Sequence, residues 1–335
     1  MKLFKKKDIE LQTAFLDKIK ELVPDNYSLA DELSEVLDIS TDSAYRRLRG
    51  KTLLSINEVS KLCQKYNISF DLFTQNTENV TFAYKSMETE EDLKIHMLGI
   101  LDAIHKTSKP ANKSVIYAAI DIPLFYHFMF DELGAFKIFY WMKAVNNYSS
   151  VQNKKFDLEV VSPEILSIGK QIWEAYKNVP CVEIWSDETG NSLVKQIEFY
   201  WDSGNFKNKE DALIVCEQAK KQLETIKEQA DVCSKNLTNN KTDDSNFLLY
   251  QSDIEIGNNC IFAKREDSKF VFLTFNTFNS LLTANIKFTK EIEVWLDNLI
   301  KKSTLISGTA QKYRFQFFER AIKKVDLLYD KILNS

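Results

Sequence analysis

Glycine and proline are scarce in this chain of 335 residues, 8 and 5 respectively, and only three histidines occur. So few breakers point to long helices and few tight turns. None of the glycines falls into a G-x-G-x-x-G or Walker-type loop, which excludes nucleotide chemistry through those phosphate cradles. A G-x-S-x-G nucleophile elbow is missing as well. His96, His105 and His127 have no second ligand at metal spacing and read as core or helix-surface histidines. The five cysteines (Cys63, Cys181, Cys216, Cys233 and Cys260) stand singly, as reduced structural thiols do. No apolar run approaches the roughly 18 residues of a membrane span. The start, Met1-Lys2-Leu3-Phe4-Lys5-Lys6-Lys7, leads into no apolar core of the secretory kind. These absences lead to the expectation of a soluble cytoplasmic protein that is not an enzyme, with no catalytic residues, metal site or cofactor.

The hydrophobic fraction of 44% and charged fraction of 27% are those of a globular protein, and the length has room for two or three domains. Net charge is -4, which excludes a general polyanion binder. The charge is uneven, however. Residues 43–57 hold Arg46, Arg47, Arg49 and Lys51 without one acid, a local patch sufficient for steering and phosphate contact. Lys5-Lys6-Lys7 reads either as a solvated terminus or as an arm that follows a nucleic-acid backbone.

That patch lies within the most informative stretch, residues 28–73. Ser28 is placed to cap a helix burying Leu29, Leu33 and Val36, with Asp31 where a capping box puts its acid. The helix breaks at Leu37-Asp38-Ile39-Ser40, and Ser40 or Thr41 can cap the next one, residues 42–49. Ala44 and Leu48 give it a narrow inward face, leaving Thr41, Asp42, Ser43, Tyr45, Arg46 and Arg49 outside. Gly50 follows where a left-handed residue is wanted. Ser55 and Glu58 form a second capping box, opening a helix with Ile56, Val59, Leu62, Cys63 and Tyr66 at helical spacing. An amphipathic helix over residues 9–23, with Leu11, Phe15, Leu16, Ile19 and Leu22 on one side, precedes the stretch and ends at Pro24-Asp25-Asn26. Polar residues 74–79 mark a boundary.

A short helix, a tight turn and a second helix with basic outer residues form a helix-turn-helix pattern. Leu29-Ala30, Ile39-Ser40 and Ala44-Tyr45-Arg46-Arg47-Leu48-Arg49-Gly50 give it a likeness to the lambda repressor and Cro (XRE-type) family of DNA-binding domains. Two positions depart: Asp38 stands where glycine is usual in the turn, and Arg47 where an apolar residue is common. The resemblance implies an N-terminal all-α domain over residues 1–75, with residues 42–49 in the major groove of double-stranded DNA. It places Thr41, Asp42 and Ser43 where the family reads bases. Tyr45 and Arg46 are the residues expected at or near base edges, an arginine being able to bond guanine O6 and N7 together. Arg49 and Lys51 are expected on phosphates, and a homodimer on a palindromic site is expected for so small a reading unit.

Residues 80–335 read as a helix-dominated α+β region with a small sheet, possible to divide near 237–246. Residues 80–84 alternate like a strand, residues 88–106 form a helix, and residues 114–120 form a strand apolar on both faces, as a central strand is. Residues 123–145, rich in aromatics, read as one buried helix after Pro123. Strands follow near 180–185, 247–256, 260–264 and 270–275, and helices near 163–176, 186–201, 208–235, 290–302 and 309–333. Asp121 ends the best strand, where open α/β sheets place ligand groups, with Tyr117 behind it on the same strand. The alternative for Asp121 is an ordinary helix N-cap. The segments Asp121-Ile-Pro-Leu-Phe125, Gln196-Ile-Glu-Phe-Tyr-Trp201 and Lys302-Ser-Thr-Leu-Ile-Ser-Gly308 resemble uncharacterised bacterial helix-turn-helix regulators, which implies a bacterial transcription regulator and supplies no ligand. The region after residue 80 is thus expected to dimerise, with three openings beyond that: a small-molecule or protein effector sensor, a protein-interaction platform without specific DNA binding, or a fused enzyme.

Overall fold

The protein is described as a computed structural model covering residues 2–20, 22–23, 27–66, 68, 70, 80–110, 113–237, 246–266 and 268–335, with side chains from residue 9 onward. The expected helix stop at residues 24–26, the boundary at 74–79, the stretch 238–245 within the division expected near 237–246, and the lysine side chains at 5–7 lie outside these residues. The chain forms two compact units, Met1–Thr81 and Phe82–Ser335.

Among the described residues the first unit holds the α-helices α1 (Lys2–Lys20), α2 (Leu29–Leu37), α3 (Thr41–Leu48) and α4 (Ile56–Tyr66). Phe15, Leu16 and Ile19 of α1 pack with Leu33 and Leu37 of α2, Ala44 of α3 and Leu62 of α4 into one small core. Helix α2 stops because Asp38 takes a left-handed conformation (φ 56°, ψ 54°). There the Asp38 amide donates to Glu35 O and the Ile39 amide to Ser34 O, the two bonds of a Schellman stop. Helix α3 ends the same way at Gly50 (φ +66°), with Gly50 N donating to Arg47 O and Lys51 N to Arg46 O. Ser40 caps α3 by accepting from the Ser43 amide at 3.3 Å, and Ser55 and Glu58 exchange both bonds of their box. Three local expectations need correction. Ser28 precedes α2 but makes no side-chain cap bond. Leu22 is exposed because the helix ends at Lys20 and helical spacing is lost before it. Ile56, in the first turn of α4, is 88% exposed.

The second unit is built on one mixed sheet of seven strands in the order β6-β5-β4-β1-β2-β3-β7. The strands are β1 (Lys113–Ala119), β2 (Cys181–Ser186), β3 (Phe247–Ser252), β4 (Cys260–Arg265), β5 (Ser268–Phe275), β6 (Asn279–Thr283) and β7 (Thr304–Leu305). Strand β1 is central, parallel to β2 and antiparallel to β4, and β2 is parallel to β3. Parallel neighbours require crossovers, and these carry most of the helices: α6 (Asp131–Tyr140) and α7 (Pro163–Tyr176), then α8 (Asn191–Asp202) and α9 (Lys209–Val232). With α5 (Glu90–Ser108) and α11 (Gln311–Leu333) they cover one face, where Val115, Tyr117 and Ala119 of β1 point. Ile116 and Ala118 point to the other face, covered by α10 (Ile286–Lys302).

The sheet is therefore larger than expected. Strands β6 and β7 have little signature of their own and become strands by pairing with β5 and β3. Residues 80–84 contribute only a single bridge, Ala83 to Leu282. Residues 123–145 are not one helix: a 3-10 segment (Leu124–Met129), α6 and a π turn (Trp141–Val145) follow one another. The break falls at Phe130, extended at φ −129° and ψ 140°, and Asp131 and Glu132 restart the helix with acids in its first turn.

Opposite signs are expected at the two left-handed stops of the first unit. Asp38→Gly relieves a left-handed side chain and should stabilise by about 0.5–1 kcal/mol. Gly50→Ala meets both a positive φ and Ile9 Cγ2 at 2.9 Å, and should destabilise by about 1–2 kcal/mol. Urea unfolding of the full chain, followed by hydrogen exchange in α1–α4, reads both.

Candidate nucleic-acid interface

Helix α3 presents a polar and basic face. Thr41, Asp42, Tyr45, Arg46, Arg49 and Lys51 are exposed and Ser43 is half-buried, so all seven expected contact residues lie on α3 or within three residues of its end. Within that set the side chains are not equivalent. Arg46 Nε forms an ion pair with Asp42 Oδ2 at 2.9 Å across one helical turn, both side chains being largely in solvent (62% and 73% exposed). Such a pair contributes only about 0.3–0.5 kcal/mol to the fold. The Arg49 guanidinium lies 5.6 Å from the centre of the Tyr45 ring. Neither Arg49 nor Lys51 has a carboxylate partner among the described residues.

Arg47 has turned inward. Its Nη2 bonds Glu58 Oε1 at 2.6 Å, its Nη1 donates to Ser43 O at 3.1 Å, and the side chains of the pair are only 15% and 16% exposed. The departure from an apolar residue at this position is thereby resolved: the guanidinium ties α3 to the start of α4 through the same carboxylate that caps α4. Gln12 of α1 supplies a second tie. Its Nε2 donates to Arg47 O (2.8 Å) and Thr52 O (3.0 Å), and its Oε1 accepts from Leu54 N (2.7 Å). Tyr66 adds a bond to Glu32, joining α4 to α2. Sequence patterns did not single out Gln12, since a polar residue on an amphipathic helix reads as solvated. Burial is its only signature.

In the second unit, Tyr117 is buried against Phe125 (ring centroids 6.3 Å apart). Asp121 does not cap a helix, because the next segment starts at Leu124 with Pro123 before it. Its Oδ1 accepts from the Ile122 amide at 2.9 Å and its Oδ2 from the Ser192 hydroxyl, tying the end of β1 to the start of α8. A hollow of about 140 Å³ between α9 and α11, lined by Cys216, Lys220, Val325 and Tyr329, includes neither residue. The most unusual buried group is Glu183 on β2. It accepts from Tyr126 OH (2.8 Å), Tyr176 OH (2.7 Å) and Trp185 Nε1 (2.9 Å). Burial pushes its carboxyl up and the Lys235 ammonium, itself buried, pushes it back. Lys235 Nζ sits 3.6 Å from the centre of the Tyr176 ring. Among the described residues there is no group of three or more His, Cys, Asp or Glu able to hold a metal ion, and no helix long and apolar enough to cross a membrane.

Residues 12–100 match the family model described as the BetR domain. This is a DNA-binding regulator domain of the helix-turn-helix type. The match takes in α2 to α4 and continues to Ile100 within α5 of the second unit. Comparisons with curated proteins and with solved structures return no match. The BetR match and the exposed basic face of α3 together point to a DNA-binding regulatory role.

The Arg47–Glu58 tie has a pH signature. Burial alone would raise the Glu58 carboxyl, but the bond from Arg47, the Ser55 amide and the guanidinium charge together hold it below the ordinary glutamate value. A depressed folded value means that the tie stabilises fully above the unfolded glutamate value, about 4.3, and is lost as pH falls through the lower folded one. Protection of the α3 and α4 amides, taken relative to their intrinsic exchange rate at each pH, should therefore fall as pH drops through the depressed Glu58 value. In Glu58→Ala the same amides should exchange faster at neutral pH, and an unchanged rate would remove the tie from the account.

Proposed function

We propose that the protein is a bacterial, cytoplasmic, sequence-specific transcriptional regulator of the lambda repressor-like type. In this reading α3 enters the major groove of double-stranded DNA, and Phe82–Ser335 pairs two copies and gives room for an effector. The observation that carries it is the geometry of α3: a short helix held by three neighbours, with Arg46, Arg49, Tyr45 and Lys51 all on its outward side or just past its end. Arg46 reads a base edge and Thr41, Asp42 and Ser43 lie at the helix start beside the bases, while Arg49 and Lys51 meet phosphates and set register.

Selection of the full chain on a random-duplex library at near-physiological salt tests this. An enriched palindrome is expected, with half-sites about one helical turn or a multiple apart; the absence of any enriched sequence overturns specific DNA binding. On the selected site Arg46→Ala should cost about 1–3 kcal/mol and relax one base position. Arg49→Ala and Lys51→Ala should weaken all sequences alike and each lower the salt dependence by about one counterion.

A further inference from the structure

We propose that Asp42 is a positioning residue for base reading: its carboxylate holds Arg46 through Nε, so that the two terminal nitrogens of the guanidinium face one guanine together. This rests on the DNA-binding reading above and assigns the specificity of one base position to a pair rather than to one arginine.

The three arginines of α3 and its end are committed differently. Arg47 spends both terminal nitrogens, one on Glu58 and one on Ser43 O. Arg49 lies against Tyr45, with no carboxylate partner among the described residues. Arg46 alone is anchored through Nε, at 2.9 Å from Asp42 Oδ2, while its terminal nitrogens have no partner among the described residues. A guanidinium is planar, so one ion-pair contact at Nε draws the near edge of the fork towards Asp42 and leaves the far edge free. That edge carries the two parallel donors which match guanine O6 and N7.

Asp42 and Arg46 sit one turn apart on the same outward side of α3. An acid on a surface that meets phosphates opposes binding through its charge. The carboxylate at position 42 therefore weakens affinity for every sequence, and what it returns is orientation of Arg46. In water the pair is weak. At a desolvated groove floor the same bond strengthens, because the surrounding dielectric falls.

The test is competition binding of the full chain to the selected site, to the site with its Arg46-dependent guanine replaced, and to random duplex. Wild type should prefer the guanine by about tenfold or more. Asp42→Ala should bind random duplex more tightly, yet lose about threefold or more of the guanine preference. Asp42→Asn keeps an oxygen that accepts from Nε but drops the charge, and should bind more tightly while holding the preference within about twofold. Thermal unfolding of the three proteins should agree, since residue 42 is exposed. A guanine preference that is unchanged or larger in Asp42→Ala overturns the proposal and leaves specific DNA binding intact. Loss of a cytosine preference in its place would make Asp42 a direct reader and overturn it equally. Failure of wild type to select any site removes the DNA-binding reading itself, and this proposal with it.

Discussion

An eight-residue helix does not hold itself in water, because the first turn costs more conformational entropy than its few hydrogen bonds return. Helix α3 (Thr41–Leu48) therefore exists by virtue of what grips it. Ser40 satisfies one of its leading amides and Gly50 turns its last carbonyls back onto the chain. Glu58 pulls it towards α4 through Arg47, and Gln12 pins the backbone of residues 47–54 to α1. These grips come from two other helices and from the chain at both ends of α3, so the outward side chains stand on a platform whose position is over-determined. That is what a reading surface requires, since a displacement of about 1 Å at a bidentate contact forfeits much of its specificity.

The second unit meets a comparable problem with buried polarity. The chain leaving α9 reverses at Cys233, which is left-handed (φ 55°), and Asn246 and Phe247 both donate to Cys233 O. Lys235 then enters the core, where its amine caps the Tyr176 carbonyl and ring beside the Glu183 carboxylate. A buried charge with no partner is costly, so a packing that separates Lys235 from Glu183 is strongly disfavoured. The network thus bears on where β3 can begin, next to β2, and ties the second crossover to the centre of the sheet. Arg314 does similar work at the start of α11, donating to Ile306 O and Gly308 O and pairing with Asp231.

What was legible in the sequence was local. Ser40, the Ser55–Glu58 box, Asp38 and Gly50 could be read because cap and turn chemistry spans three or four residues. β1 was legible from its two apolar faces. Gln12, Arg47–Glu58 and Glu183–Lys235 were not, because each acts on a partner far along the chain and looks locally like a solvated polar residue. Local pattern also misled. Residues 28–31 have the form of a capping box without the side-chain bond, and residues 123–145 lack any internal proline yet break at Phe130. Ile56 shows the same limit: helical spacing named it, but the rotation of α4 about Leu62 turned it outward. That Thr41, Asp42, Tyr45 and Arg46 stand outward on α3 was readable from its spacing, while the different engagements of Arg46, Arg47 and Arg49 were not.

That division bears on how such a unit can bind. Residues 1–81 carry 12 Lys and Arg against 13 Asp and Glu, so any attraction to DNA comes from placement rather than from total charge. On and just after α3, Arg47 is neutralised internally and Arg46 is engaged by Asp42, which leaves Arg49 and Lys51 as the cations without a carboxylate among the described residues. Few neutralised phosphates mean little counterion release, and hence weak binding to arbitrary sequence. A surface of this kind gains affinity chiefly from base contacts, and from a second copy that turns two weak contacts into one joint event. The proposed pairing through Phe82–Ser335 follows from that charge balance as much as from the family likeness. On the proposed reading, a unit that gives up electrostatic affinity to orient Arg46 gains most from being doubled.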